Sequence, residues 1–190
     1  MNPNQLAECP LVLKEFLGYM ETIKGKSPKT VQEYFFDLRT FFRYMKIKKN
    51  LTASDTEFSE IPIDDITIDF LSMVSLTDVY EFMNFVTIER ENKNAARARK
   101  SASLRAFFQY LTNKTHQLKE NPVQELETPK QKKSLPKYLT LEQSIDLLNA
   151  VDGPFRERDY CILTLFLNCG LRLAELVGLN LNDIRPDHTM

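Results

Sequence analysis

Apolar residues recur at intervals of three and four in one stretch of this chain after another, a spacing that buries best on helices packed face to face. From Leu11 to about Lys24 the positions are Leu13, Phe16, Leu17, Met20 and Ile23, and Gly25 ends the helix. Ser27-Pro28 then supplies an N-cap and a favoured first helical residue, and Val31, Tyr34, Phe35, Leu38, Phe41, Phe42 and Met45 carry a second helix to about Lys48. Its aromatic stripe is expected to be core. Thr77 or Asp78 is the expected cap of a further helix with Val79, Phe82, Met83 and Val86 facing inward. Another runs from about Ala95 to Thr112 on Leu104, Phe107, Phe108 and Leu111. Between these, residues 50–75 lose the period: Ile61, Ile63, Ile66 and Ile68 alternate only in part, around Pro62 and many acids, so the segment reads as loop with room for one turn of helix.

From Asn121-Pro122 to Leu135-Pro136 three prolines and the run Lys130-Gln131-Lys132-Lys133 replace any apolar period. Residues 121–137 therefore read as a basic linker between a domain of residues 1–120 and a second of residues 138–190. Its lysines Lys130, Lys132, Lys133 and Lys137 suit a segment lying along a charged backbone. Thr140-Leu141-Glu142-Gln143 matches a capping box and opens a helix through Ile145, Leu148 and Val151. After the turn at Asp152-Gly153-Pro154, a helix from about Phe155 runs to Cys169, and Tyr160 on it is expected to be core. This second unit, about fifty residues long, is below the size that usually supports a core by itself.

Gly170 stands where a helix end wants positive φ, so the chain is expected to turn there and present Arg172 at the start of a short helix. Arg172 lies among Leu171, Leu173, Leu176 and Leu179, where a charge is costly without a partner. Glu175, three residues on, shares its helix face. Either Arg172 pairs with Glu175, or it waits for an anion.

The net charge of -1 conceals an uneven distribution. Residues 24–49 sum to +6, residues 51–89 to -9 and residues 90–137 to +8. Such asymmetry points to a polyanionic partner, unless the acidic block balances its neighbours within the fold. Arg97, Arg99 and Lys100 crowd the first two turns of the helix that also carries Arg105, and a helix start favours phosphate. No stretch of 18 residues is free of charge, no secretory signal opens the chain, and Cys9, Cys161 and Cys169 form no zinc or disulfide framework. A reducing cytoplasm is the expected setting. His116 and His188 have no spacing partners, and no phosphate-binding glycine loop, metal set or catalytic triad can be assembled.

Cys169-Gly170-Leu171-Arg172-Leu173-Ala174-Glu175-Leu176-Val177-Gly178-Leu179 resembles the first catalytic-arginine motif of the tyrosine recombinases, T-G-L-R-x-S-E-L-x-x-L, departing at Cys169 and Ala174. Ser27-Pro28-Lys29-Thr30 with Tyr34 resembles the start of the second helix of that family's core-binding domain. Arg99-Lys100, Leu104-Arg105 and Phe107 to Leu111 resemble its DNA-contacting fourth helix, with Ala102 in place of a common serine. Leu135-Pro136-Lys137 and Leu139-Thr140 resemble the entry to the catalytic domain.

The resemblance implies an all-α chain: a SAM-like helical core-binding domain followed by the first helices of a mixed α/β catalytic domain, the two closing as a C-shaped clamp on duplex DNA. It implies a site-specific recombinase, Xer-like, that cleaves and rejoins strands through a phosphotyrosyl link without metal or nucleotide cofactor. Its partners would be a short inverted-repeat site and other recombinase subunits in a DNA-bound tetramer. Arg172 would bind the scissile phosphate through its planar, always-charged fork, and Glu175 would support it. Ser27, Lys29, Thr30, Arg97, Arg99, Lys100, Arg105, Lys130, Lys132, Lys133 and Lys137 would contact DNA. The family's later lysine, His-x-x-Arg motif and nucleophilic tyrosine cannot be placed, so the chain is expected to be an N-terminal part that neither cleaves nor joins DNA alone. The acidic stretch 51–75 is longer than expected for Xer proteins. The other reading is a catalytically silent binding or regulatory module, in which Arg172 and Glu175 are only a structural pair.

Overall fold

The computed structural model of the protein describes residues 7–53, 55–127 and 137–183. Among these residues all regular structure is helical and no strand occurs. The chain forms two compact units, Met1–Lys132 and Lys133–Met190.

In the first unit α1 (Leu11–Thr22) leads through Gly25, at φ 59°, into α2 (Pro28–Lys48). Ser27 caps α2 as its position suggests, its Oγ accepting from the Thr30 N–H at 3.3 Å with Pro28 in the first turn. A short α3 (Ile68–Ser72), α4 (Leu76–Ile88) and α5 (Asn94–Asn113) follow. The cap of α4 is Ser75, not Thr77 or Asp78: the Asp78 N–H donates to Ser75 Oγ at 3.2 Å, while Asp78 Oδ2 accepts from the Ser75 N–H at 2.8 Å. Serine and aspartate at this spacing satisfy two helix-end donors reciprocally, so the helix begins earlier than its apolar period indicates.

Helix α2 packs against α1, α4 and α5. Phe16, Phe35, Phe41, Phe42, Phe82, Phe107 and Phe108 are fully buried around it, with Phe41 edge-on to Phe82 at 5.1 Å and Phe16 edge-on to Phe107 at 5.3 Å. Each such ring contributes roughly 1.5–3 kcal/mol by leaving water, and its ring contacts add about 0.5–1.5 kcal/mol. Val123 and Leu126, inside the stretch that sequence suggests is linker, are also buried in this core.

The irregular stretch before α3 buries Ile61, Ile63 and Ile66 without forming a strand. Side chains of α2 take its backbone acceptors instead: Arg43 Nε donates to the Ile61 carbonyl at 2.9 Å and Lys46 Nζ to the Pro62 carbonyl at 2.9 Å. The acids follow the same logic. Lys46 pairs with Asp65 at 2.8 Å, Lys48 with Asp78 at 2.6 Å and with Glu81, and Lys49 with Asp78 at 3.4 Å. Lys46, Lys48 and Lys49 of the first basic block are thus neutralised within the fold by the acidic one. Burial alone would raise the Asp78 carboxyl, but hydrogen bonds from Lys48 and Ser75 hold it well below the usual carboxylate range.

The second unit contains α6 (Leu141–Asn149), α7 (Arg156–Cys169), α8 (Leu173–Val177) and a 3-10 turn at Leu181–Asp183. The expected capping box is present: the Gln143 N–H donates to Thr140 Oγ1 at 3.3 Å, and the Thr140 N–H to Gln143 Oε1 at 2.9 Å. Its described residues include no buried side chain. Tyr160, expected to be core, is 45% exposed, and Cys161 and Cys169 are exposed as well. Helix α6 meets α7, and among the described residues Leu141, Ile145 and Leu147 of α6 and Tyr160 and Leu167 of α7 remain exposed.

Candidate functional site

Contacts between α2 and α5 rise together in number along both helices: Glu33 meets Arg99, Asp37 meets Ser103, and Phe42 meets Phe107. The two helices therefore run in the same direction, and their N-termini lie at one end of the unit. Helix α4 runs the other way, with Asp78 at Lys48 and Thr87 at Arg97, so its C-terminus joins the same end. This end gathers Ser27, Lys29, Thr30 and Arg97. Two long helices point their N–H groups and positive dipole ends at it, a geometry that suits phosphate.

The residues there differ in how free their charge is. Lys29 is exposed, and no carboxylate lies within ion-pair distance of it among the described residues. Among the described residues the Arg97 side chain bonds only neutral groups, Thr87 Oγ1 at 3.2 Å and Asn94 Oδ1, and no carboxylate there cancels its charge. Ser27 Oγ is committed to the α2 cap and lies 3.0 Å from Thr30 Oγ1.

One turn further in, the bases are neutralised. Lys100 does not present its charge to solvent: it is buried, 2.8 Å from Asp37 Oδ1, and Asp37 Oδ2 accepts from Ser103 Oγ at 2.8 Å. Arg99 pairs with Asp37 at 3.1 Å and with Glu33. Glu33, Asp37, Arg99 and Lys100 together carry no net charge. A sequence signal for this exists, because Lys100 falls on the same stripe as Leu104, Phe107 and Leu111, where a base implies a buried acid. Arg105 lies in the second half of α5, half-buried, where it lines a depression of about 370 Å³ with Gln109, Asn121 and Gln124. It is eight residues along the helix from Arg97, about 12 Å of rise, so α5 does not offer its bases as one patch. Lys137 is exposed; Lys130, Lys132 and Lys133 lie outside the described residues.

In the second unit Gly170 takes φ 62° and ends α7 with its N–H on the Phe166 carbonyl at 3.1 Å. Arg172 follows at the N-cap of α8. It is not a buried charge: its side chain is 85% exposed, with Leu173 and Leu179 exposed beside it. Arg172 Nη1 donates to Glu175 Oε1 at 3.0 Å, and the Arg172 backbone N–H donates to Glu175 Oε2 at 2.7 Å. Glu175 therefore both caps the start of α8 and holds the guanidinium, leaving the rest of the fork open to solvent. Among the described residues no group of histidines, cysteines and acids could hold a metal, and no helix is long and apolar enough to cross a membrane.

No family model and no solved structure matches the chain. Curated relatives do. A tyrosine recombinase XerC of Caldanaerobacter subterraneus subsp. tengcongensis is 52% identical over 178 residues, covering 94% of this chain and 50% of that protein. A tyrosine recombinase XerD of Listeria monocytogenes serotype 4b is 32% identical over 91% of this chain and 52% of its own length. A tyrosine recombinase XerC of Myxococcus xanthus is 32% identical over 91% of this chain and 51% of its own. The chain spans about half the length of the curated relatives it matches.

Proposed function

Because the chain belongs to the tyrosine recombinase family, we propose that it serves site-specific DNA recombination, its first unit binding duplex DNA and its second contributing Arg172 to the scissile phosphate. The observation that carries this reading is the shared end of α2 and α5, where two helix N-termini, Lys29 and Arg97 stand together with their cationic charge uncancelled. A phosphate backbone offers anions spaced to meet several such donors at once. Arg172 supplies a planar cation that can bond two phosphoryl oxygens as negative charge develops, which a lysine there would not do. Strand exchange itself, through a phosphotyrosyl link and a tetramer on a short inverted repeat, is the activity of a recombinase of full length. No metal or nucleotide enters it.

Fluorescence anisotropy on labelled duplexes tests the binding. The logarithm of affinity is expected to fall linearly with that of salt concentration, by about 0.9 per phosphate contact. Affinity without salt dependence, or none at low salt, would overturn the reading. On a nicked suicide duplex this 190-residue chain is expected to form no covalent adduct. One observation favours the alternative of a catalytically silent module: Arg172 already has an ion-pair partner in Glu175. A Glu175→Gln variant that leaves DNA binding unchanged while Arg172→Ala also does would support it.

A further inference from the structure

Arg99 sits at the margin of the proposed DNA-facing end, two residues beyond Arg97 on α5, and its contacts are one-sided. Its side-chain bonds among the described residues all run through Nη1: to Glu33 Oε2, to the Glu33 carbonyl at 3.4 Å and to Asp37 Oδ2 at 3.1 Å. The two acids are not equivalent. The Asp37 side chain is 1% exposed and already holds Lys100 and Ser103, so it is fixed in the interior. Glu33 is 41% exposed, has Arg99 as its one ion-pair partner among the described residues, and stands on α2 three residues after Thr30. Arg99 itself is 38% exposed.

We propose that Glu33 is a placeholder for phosphate: in the DNA-free chain its carboxylate occupies Arg99, and a DNA phosphate must displace it before that arginine contributes to binding. This rests on the reading that the α2 and α5 end faces DNA, and adds to it a residue that limits affinity for DNA of any sequence. The chemistry is direct competition. Carboxylate and phosphate both present two oxygens to a guanidinium, and an exposed pair is weak enough to exchange. Sites without correct neighbouring contacts would leave Arg99 on Glu33. Sites that seat the helix ends closely would draw Arg99 across, since its Nε and Nη2 edge is uncommitted.

The test is a double-mutant cycle read by anisotropy on an unrelated-sequence duplex at several salt concentrations. Glu33→Gln is expected to tighten binding by about twofold to fivefold, the size of one exposed charge pair, and to increase the salt slope by about one. In the Arg99→Ala background the same substitution is expected to give no gain, because there is no arginine to release. An equal gain in both backgrounds would overturn the proposal, since it would mark only a general loss of negative charge. So would no gain from Glu33→Gln while Lys29→Ala and Arg97→Ala weaken binding, and there the DNA reading would stand alone. If none of the four substitutions changes binding, the DNA reading fails and the placeholder role with it.

Discussion

Both units carry strongly apolar helices, and these meet opposite fates. In α2 and α5 the periodic residues Phe35, Phe41, Phe42, Phe107 and Phe108 are fully buried; in α7 the continuous, largely apolar run from Ile162 to Phe166 is only half-buried, and Tyr160 and Leu167 are exposed. The difference is architectural. Helix α2 has α1, α4 and α5 around it, while among the described residues α7 packs chiefly on α6. An amphipathic period fixes which face of a helix is apolar; only neighbouring elements decide whether that face leaves water. The charges follow the same division. Asp37 and Asp78 of the first unit are enclosed, and each is met by two cationic side chains, whereas the Arg172–Glu175 pair of the second stands in solvent.

The largest effects should separate the two regions most clearly. Phe107→Ala is expected to cost about 3–5 kcal/mol in urea unfolding, because the cavity opens in a closed core, and Phe166→Ala about 0.5 kcal/mol or slightly more. Equal losses would break the comparison. Asp37→Ala comes next, about 3 kcal/mol, since it strands the buried Lys100 ammonium. Asp78→Asn is expected to cost about 2 kcal/mol at neutral pH. Its sign with pH is fixed by the lowered carboxyl: the contribution is present above the unfolded value near ~3.9 and is lost as pH falls from there toward the folded value. Acid unfolding of the first unit should therefore be less steep in Asp78→Asn than in the parent chain, as followed by circular dichroism. Smallest is Arg172→Ala, within about 0.5 kcal/mol of the parent, as for other exposed pairs.

Local signals in the sequence were enough to place most helices. Ser27, the Thr140 to Gln143 box and Gly170 each act over three or four residues, and each stands in the structure where its chemistry requires. The Ser75 cap is equally local, but Thr77 and Asp78 beside it also offer capping oxygens and mask it; Asp78 answers Ser75 from the third helical position. Long-range pairing was not legible. Lys100 and Asp37 are 63 positions apart and Lys46 and Asp65 are 19 apart, and nothing in either neighbourhood names the other. For that reason the basic start of α5 read as one anion-binding patch, when Lys100 and Arg99 are already neutralised and Arg97 is not. The exposure of Arg172 was hidden by the same limit: leucines around an arginine imply burial only where something covers them.

The claim on which the functional account turns is that DNA meets the end of the first unit where α2 and α5 begin. The direct measurement is the salt slope of duplex binding for a Lys29→Ala, Arg97→Ala double variant, set beside a Lys114→Ala, Lys119→Ala double variant at the other end of α5, where both lysines are exposed. The account predicts a slope smaller by about two for the first pair and unchanged for the second. Equal slopes in the two variants, or a loss confined to the Lys114 and Lys119 pair, would contradict it.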